Sequence, residues 1–374
     1  MRKGASAFLK GTAVTCSAPA AISLGAEKKR LLTVAFAVMF TVCATVFPKT
    51  VAEAVTSAAV GFARAALPVM LPFTVASGML IKSGFGSVCE RTVGRCFKRC
   101  FGISGSLAAP FVLGAVAGFP VGARTVTEMY KRGECGRNEA ERALGLCSNP
   151  GFGFTVAGVG GVMWGDTRFG LYLWISCLLS SLAVGVLSKR KKRNDTVNLR
   201  NLNSFIAESN GVDTIESEAE GQTDFSAFRI VAEAITEAAH ALLSVLVFVV
   251  FFRTISAVLL EITACLPFFA QYNGGWWGAV LTAFLEFSSG ALEISSASFP
   301  QVFLPIPFAY DGSLIPRLLT VATLAWSGVS VHMQTVGFTV SCGIKMSEYY
   351  RFKMFVALVA PLWFLLISVM GCWI

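Results

Sequence analysis

Apolar runs about as long as a bilayer is thick alternate along this chain with short clusters of Lys and Arg. Leu31 to Phe47, ending at Pro48, reads as a short crossing. Ala52 to Ile81 reads as a longer one that carries Arg64 and that Pro68 and Pro72 should kink. Ile103 to Val126 holds Pro110, Gly114, Gly118, Pro120 and Gly122, too many breakers for a straight span. Basic segments bound it at both ends, so a re-entrant hairpin entering from the cytoplasm is predicted. Ala143 to Met163 crosses outward with a break at Ser148-Asn149-Pro150-Gly151, and Phe169 to Leu187 crosses back. Further on, Phe228 to His240 sets Glu233, Glu237 and His240 on one helical face, as an interfacial amphipathic turn would. Ala241 to Leu260 then crosses outward, and Trp276 to Phe299 is a second hairpin, interrupted at Phe287-Ser288-Ser289-Gly290. Leu318 to Val340 crosses inward around Ser327-Gly328-Val329-Ser330, and Phe355 to Trp373 crosses out.

The fold class predicted is therefore an all-α polytopic membrane protein of seven crossings and two re-entrant hairpins, with the N-terminus inside and the C-terminus outside. The two halves list the same motifs in the same order, while the distribution of basic residues gives them opposite orientation. That is the signature of two inverted repeats, whose broken helices meet at the membrane midplane. Residues 1–30 are assigned to a cytoplasmic segment, 31–188 to the first membrane half, 189–228 to a basic and acidic cytoplasmic linker, and 229–374 to the second half. The linker carries Glu208, Asp213, Glu216, Glu218, Glu220 and Asp224 with little apolar periodicity, the composition of a disordered segment.

Composition agrees. Hydrophobic residues make up 55% of the 374, charged residues 14%, and the mean hydropathy is +0.66, values that exclude an ordinary soluble domain. The net charge of +9 lies in clusters beside the apolar runs, at Lys28-Lys29-Arg30, Arg91 to Arg99, Lys131 to Arg142 and Lys189 to Arg193. That is the positive-inside pattern, and no nucleic-acid module accompanies it. The eleven cysteines are scattered and imply no disulfide framework. Cys89, Cys96 and Cys100 lack paired spacing and a nearby histidine, so no metal site is expected. No Walker loop, nucleotide fingerprint, nucleophile elbow or His-Glu-x-x-His motif occurs, and no catalytic set is assigned.

The candidate site residues cluster at the breaks. Arg124 follows the first hairpin break. An arginine at that depth costs ~3 kcal/mol or more unless it meets a carboxylate, supplied by a cargo or by Glu128 one turn on. Glu286 and Glu293 flank the second break and could hold a coupling cation or proton, or pair with Arg124 or Arg253. Gly122, Ser148, Asn149, Ser289, Gly290, Ser327, Ser330 and Gln334 complete the set, as neutral donors, acceptors and exposed backbone at half-helix ends. His332 could titrate or simply be hydrogen-bonded. The Gly114/Gly118 and Gly161/Gly165 pairs fit small-residue helix packing.

At these residues the chain resembles the sporulation integral membrane proteins of the YlbJ type, within the gate or nucleoside-recognition superfamily. The resemblance rests on Leu71-Pro72-Phe73 with Ser77-Gly78, on Gly118 to Arg124, on Ser148 to Phe152, on Glu286 with Ser289-Gly290, and on Ser327 to Val331 with Gln334. It implies a role in endospore formation, moving dipicolinic acid across the outer forespore membrane by alternating access. The partners implied are that small aromatic dianion and the lipid bilayer, with homo-oligomerisation left open and no cofactor beyond a coupling Na+ or H+. Nucleoside uptake, and a non-transporting gate or scaffold that needs a partner, are the competing readings.

Overall fold

The computed structural model describes residues 24–189, 223–265, 275–301 and 312–370, and every element among them is a helix. The first 23 residues, most of the acidic linker, most of the loop from Pro300 to Pro316, and the last crossing beyond Met370 lie outside the described residues. The chain divides into two units, residues 1–48 and 49–374. The first contributes one apolar helix, Leu24–Val46 (α1), on which Phe36 and Phe40 stack at successive turns, 6.4 Å apart.

The second unit opens one residue into Pro48–Gly61 (α2), which a π-helical turn over Phe62–Ala66 and Leu67–Lys82 (α3) extend to one helical run of 35 residues. Pro68 has no N–H to offer the carbonyl a turn earlier, and the slip to π spacing falls just before it. The prolines thus leave the run continuous. Phe85–Phe101 (α4) is amphipathic, with Arg91, Arg95, Lys98 and Arg99 exposed and Cys89, Phe97 and Phe101 buried. It bends by 107° into Gly105–Ala117, whose main part is Ala108–Ala117 (α5).

From α5 onward one order of elements occurs twice. In the first half, α5 and Phe119–Lys131 (α6) pack together around a break at Gly118; Arg137–Cys147 (α7) follows, then the extended residues 148–151, then a π-helix over Phe154–Met163 and Thr167–Leu187 (α8). Asp166 caps α8 by accepting from the N–H groups of Arg168 and Phe169 at 3.0 and 3.1 Å. In the second half, Thr223–Ala264 (α9) leads to Trp276–Leu285 (α10) and Phe287–Ser296 (α11), packed together around a break at Glu286. Leu314–Trp326 (α12), the break at Ser327, Gly328–Thr339 (α13) and Ser347–Met370 (α14) complete it.

Six of these helical runs are long and apolar enough to cross a membrane, or seven if the bent pair of α4 and α5 is one span. The segment from Ala143 to Met163 is not a single crossing helix but two short pieces either side of 148–151. The expected interfacial turn from Phe228 to His240 is also corrected: α9 runs through it without interruption for 42 residues. Its Glu233 and Glu237 do share a face, because both reach Lys82 of α3, at 2.9 and 3.0 Å. Helices of the two halves cross-pack, α6 against α13 and α11 against the π-helix. On α14, Val356, Ala360 and Phe364 face this core while Leu358 and Leu362 are exposed, as a helix between protein and lipid requires.

Candidate functional site

The breaks are built by backbone crowding. Gly118 has φ 106° and ψ −176°, a conformation essentially confined to glycine. Gly114 and Gly122 face each other across the hairpin, and a Cβ on either would collide with the carbonyl of Cys147, which fills the notch between them. Gly151 in turn lies so close that its Cβ would meet Ala117 and Gly118 backbone at 2.9–3.0 Å. The second half repeats the arrangement. Gly290 packs on Ala283, and a Cβ on Gly328 would meet the Phe287 nitrogen at 2.9 Å and the Leu285 oxygen at 3.1 Å. The first residues after the two hairpin breaks, Phe119 and Phe287, touch edge to face at 5.4 Å. Gly122 and Gly290, expected to approach a substrate, are thus pressed against protein backbone. Of the glycine pairs predicted to pack, Gly118 and Gly165 instead serve turns with positive φ, and Gly114 packs with Gly122.

The break at Glu286 supplies its own anion. The carboxylate is fully buried and accepts from the Ser288 N–H at 2.9 Å, the Ser288 hydroxyl at 2.8 Å and the Ser289 N–H at 2.6 Å. A negative charge on the first free N–H groups of a helix is favourable both as a cap and toward the helix dipole. This half-helix end, expected to face an anionic cargo, is therefore already filled. Glu293 pairs with Arg253 at 2.5 Å, and Arg253 also donates to Ser256 and Thr282 at 3.3 Å. Neither acid meets Arg124. Of the pairings expected from the sequence, Glu293 takes Arg253 and Arg124 takes Glu128, while Glu286 turns to its own helix.

At the first crossing-helix break the polar groups are turned inward. Asn149 is 1% exposed; it donates to the Leu146 carbonyl at 2.8 Å and accepts from the Ser181 hydroxyl at 2.5 Å. The Ser148 carbonyl accepts from Lys353 Nζ at 3.0 Å, and that ammonium lies 5.0 Å from the centre of the Phe119 ring. Lys353 is 1% exposed and has no ion pair among the described residues. Beside it, the Tyr349 hydroxyl meets His332 Nδ1 at 3.0 Å and Thr335 at 3.4 Å. Ser148 Oγ, Ser330 Oγ and His332 Nε2 are buried without a hydrogen bond of ordinary geometry, although Ser148 Oγ faces Tyr349. Ser327 adopts φ 81°, rare for a side chain other than glycine.

Lys353 is not among the residues singled out from the sequence, where it closes the basic stretch that begins at Lys345. The signal that marks it is spacing: Tyr349, Lys353, Val356 and Ala360 occupy one face of α14 and all are buried.

Arg124 and Gln334 do come together, in a cavity of about 400 Å³. Its walls are α3, with Thr74, Gly78 and Lys82; α6, with Pro120, Val121, Arg124, Thr125 and Glu128; α9, with Glu237, His240, Ala241 and Ser244; and α13, with Gln334 and Phe338. Arg124 Nε donates to Glu128 at 2.8 Å, and both side chains remain about four-tenths exposed. Three cations (Lys82, Arg124, Arg132) and two carboxylates (Glu128, Glu237) line the space. The first turn of α6, which no side chain caps, borders it as well.

A relative fits this picture. The chain is 26% identical over 304 residues to the sporulation integral membrane protein YlbJ of Bacillus subtilis (strain 168), an alignment covering 76% of this chain and 69% of that protein. No family model matches the chain. The protein is a multi-pass membrane protein homologous to a sporulation integral membrane protein.

Proposed function

We propose that the protein is a secondary transporter of a small carboxylate, with dipicolinate as the cargo that the sporulation resemblance suggests and the outer forespore membrane as its location. The observation that carries the reading is the cavity between α3 and α9 on one side and α6 and α13 on the other. Its volume, about 400 Å³, falls in the range that houses small molecules. It offers an anion the Arg124 guanidinium, the amide of Gln334 and the uncapped positive end of α6. The corresponding breaks in the two halves, cross-packed around Phe119 and Phe287, support two inverted repeats with re-entrant hairpins that let one site face each compartment in turn.

Arg124 is already paired with Glu128, and that pairing favours one rival. An uncharged, nucleoside-like cargo would leave the pair intact, whereas a carboxylate must share or displace Glu128. Flux of labelled dipicolinate into liposomes holding purified protein separates the two. The carboxylate reading expects uptake in the wild type and a loss of about tenfold or more in Arg124→Ala, the worth of one charge-assisted hydrogen bond. Absence of uptake, or uptake undiminished in the variant, overturns it.

A further inference from the structure

We infer that Lys353 is a tethered cation that occupies the ion site at the first helix break, so that the protein works without Na+ bound there. The inference deepens the transporter reading and rests on it for its flux arm. Where a crossing helix unwinds, the freed carbonyls and the negative end of the preceding half-helix form a natural cation site. In this chain the C-terminal end of α7 is followed by Ser148, whose carbonyl lies outside any helix. The group that meets that carbonyl is the chain's own ammonium, at 3.0 Å. The face of Phe119, the first residue after the hairpin break, closes the site at 5.0 Å. A carbonyl oxygen and a ring face are ligands suited to a monovalent cation, and neither carries charge.

The surroundings exclude an ordinary structural salt bridge. Lys353 has no carboxylate partner among the described residues, although it is 1% exposed. The buried Ser148 hydroxyl makes no hydrogen bond of ordinary geometry and faces the Tyr349 hydroxyl, so it brings no charge to the site. Elsewhere the chain matches its embedded charges to partners, Glu293 with Arg253 and Arg317 with Asp166. Lys353 is matched to the pole of a broken helix, as Glu286 is at the other break. The breaks at Ser148 and at Glu286 thus each carry a built-in counter-charge.

The test uses the full-length protein and two readouts. In proteoliposomes, replacing Na+ by N-methylglucamine should change wild-type dipicolinate flux less than about twofold. Lys353→Met, which keeps length and removes charge, should lower it about tenfold or more, with partial recovery in Lys353→Arg. In detergent, where no transport is needed, the wild-type melting temperature should be the same in NaCl and in N-methylglucamine chloride, while Lys353→Ala should melt higher in NaCl, which can fill the emptied site. Na+-dependent flux or melting of the wild type overturns the inference, as does Lys353→Met with normal flux or Lys353→Ala indifferent to Na+. Should the wild type carry no dipicolinate at all, the transport reading fails while the melting comparison still decides the ion site.

Discussion

At the second hairpin break, Glu286 carries a side chain that turns back onto the helix it starts, whereas the corresponding position of the first, Gly118, has no side chain. The charged group that reaches Phe119, the residue after that first break, is Lys353, which also meets the Ser148 carbonyl 205 residues away in sequence. Both breaks sit under glycine contacts of the same kind, Gly118 against Gly151 and Phe287 against Gly328. The difference teaches where an anion can go. The start of α11 is closed by its own carboxylate, while the start of α6 is uncapped and borders the cavity that holds Arg124. Under the transporter proposal, shared architecture with unequal capping directs an anion to the start of α6 rather than to the start of α11.

The largest effect should come from removing the built-in anion. Glu286→Ala leaves two backbone N–H groups and a hydroxyl unsatisfied in a buried site and should cost about 2–4 kcal/mol, read as a lowered melting temperature or denaturation midpoint in detergent. A variant as stable as the wild type would show that the cap contributes nothing and would erase the contrast between the breaks.

Next in size is Gly122→Ala, which drives a methyl group into the Cys147 carbonyl and should destabilise by about 1–3 kcal/mol in the same assay. A larger loss of dipicolinate binding than of stability would instead restore Gly122 to the cargo site.

These positions also show how far sequence carried. The breaks at Gly118, Asn149-Pro150-Gly151, Glu286 and Ser327 were legible because Gly, Pro and Ser within apolar runs have few roles other than unwinding helices or packing them closely. The pairing of charges was not. Arg124 has Glu128 one turn away and the acids Glu286 and Glu293 in the second half as candidate partners, and sequence alone does not choose among them. Glu286 looked like an ion ligand because an acid in an apolar run signals function, yet its place at the residue before a helix start fits a cap equally well. Lys353 was hidden by its neighbours Lys345 and Arg351, which belong to the basic edge of the membrane, although its helical face is that of Tyr349 and Val356.

The smallest effect expected is a gain. Ser327 sits at φ 81°, so Ser327→Gly removes left-handed strain at the cost of some chain entropy and should stabilise by roughly 0.5 kcal/mol. Destabilisation of 1 kcal/mol or more would mean that the buried Ser327 hydroxyl, 3.5 Å from the Leu324 carbonyl, holds the second break together, making the two breaks less alike than their backbones suggest.

Equilibrium binding of labelled dipicolinate to purified protein, compared between wild type and Arg124→Ala, tests the assignment of cargo to the cavity most directly. Saturable binding that weakens about tenfold in the variant is the expected result. Equal binding by both proteins, or none by the wild type, would contradict it.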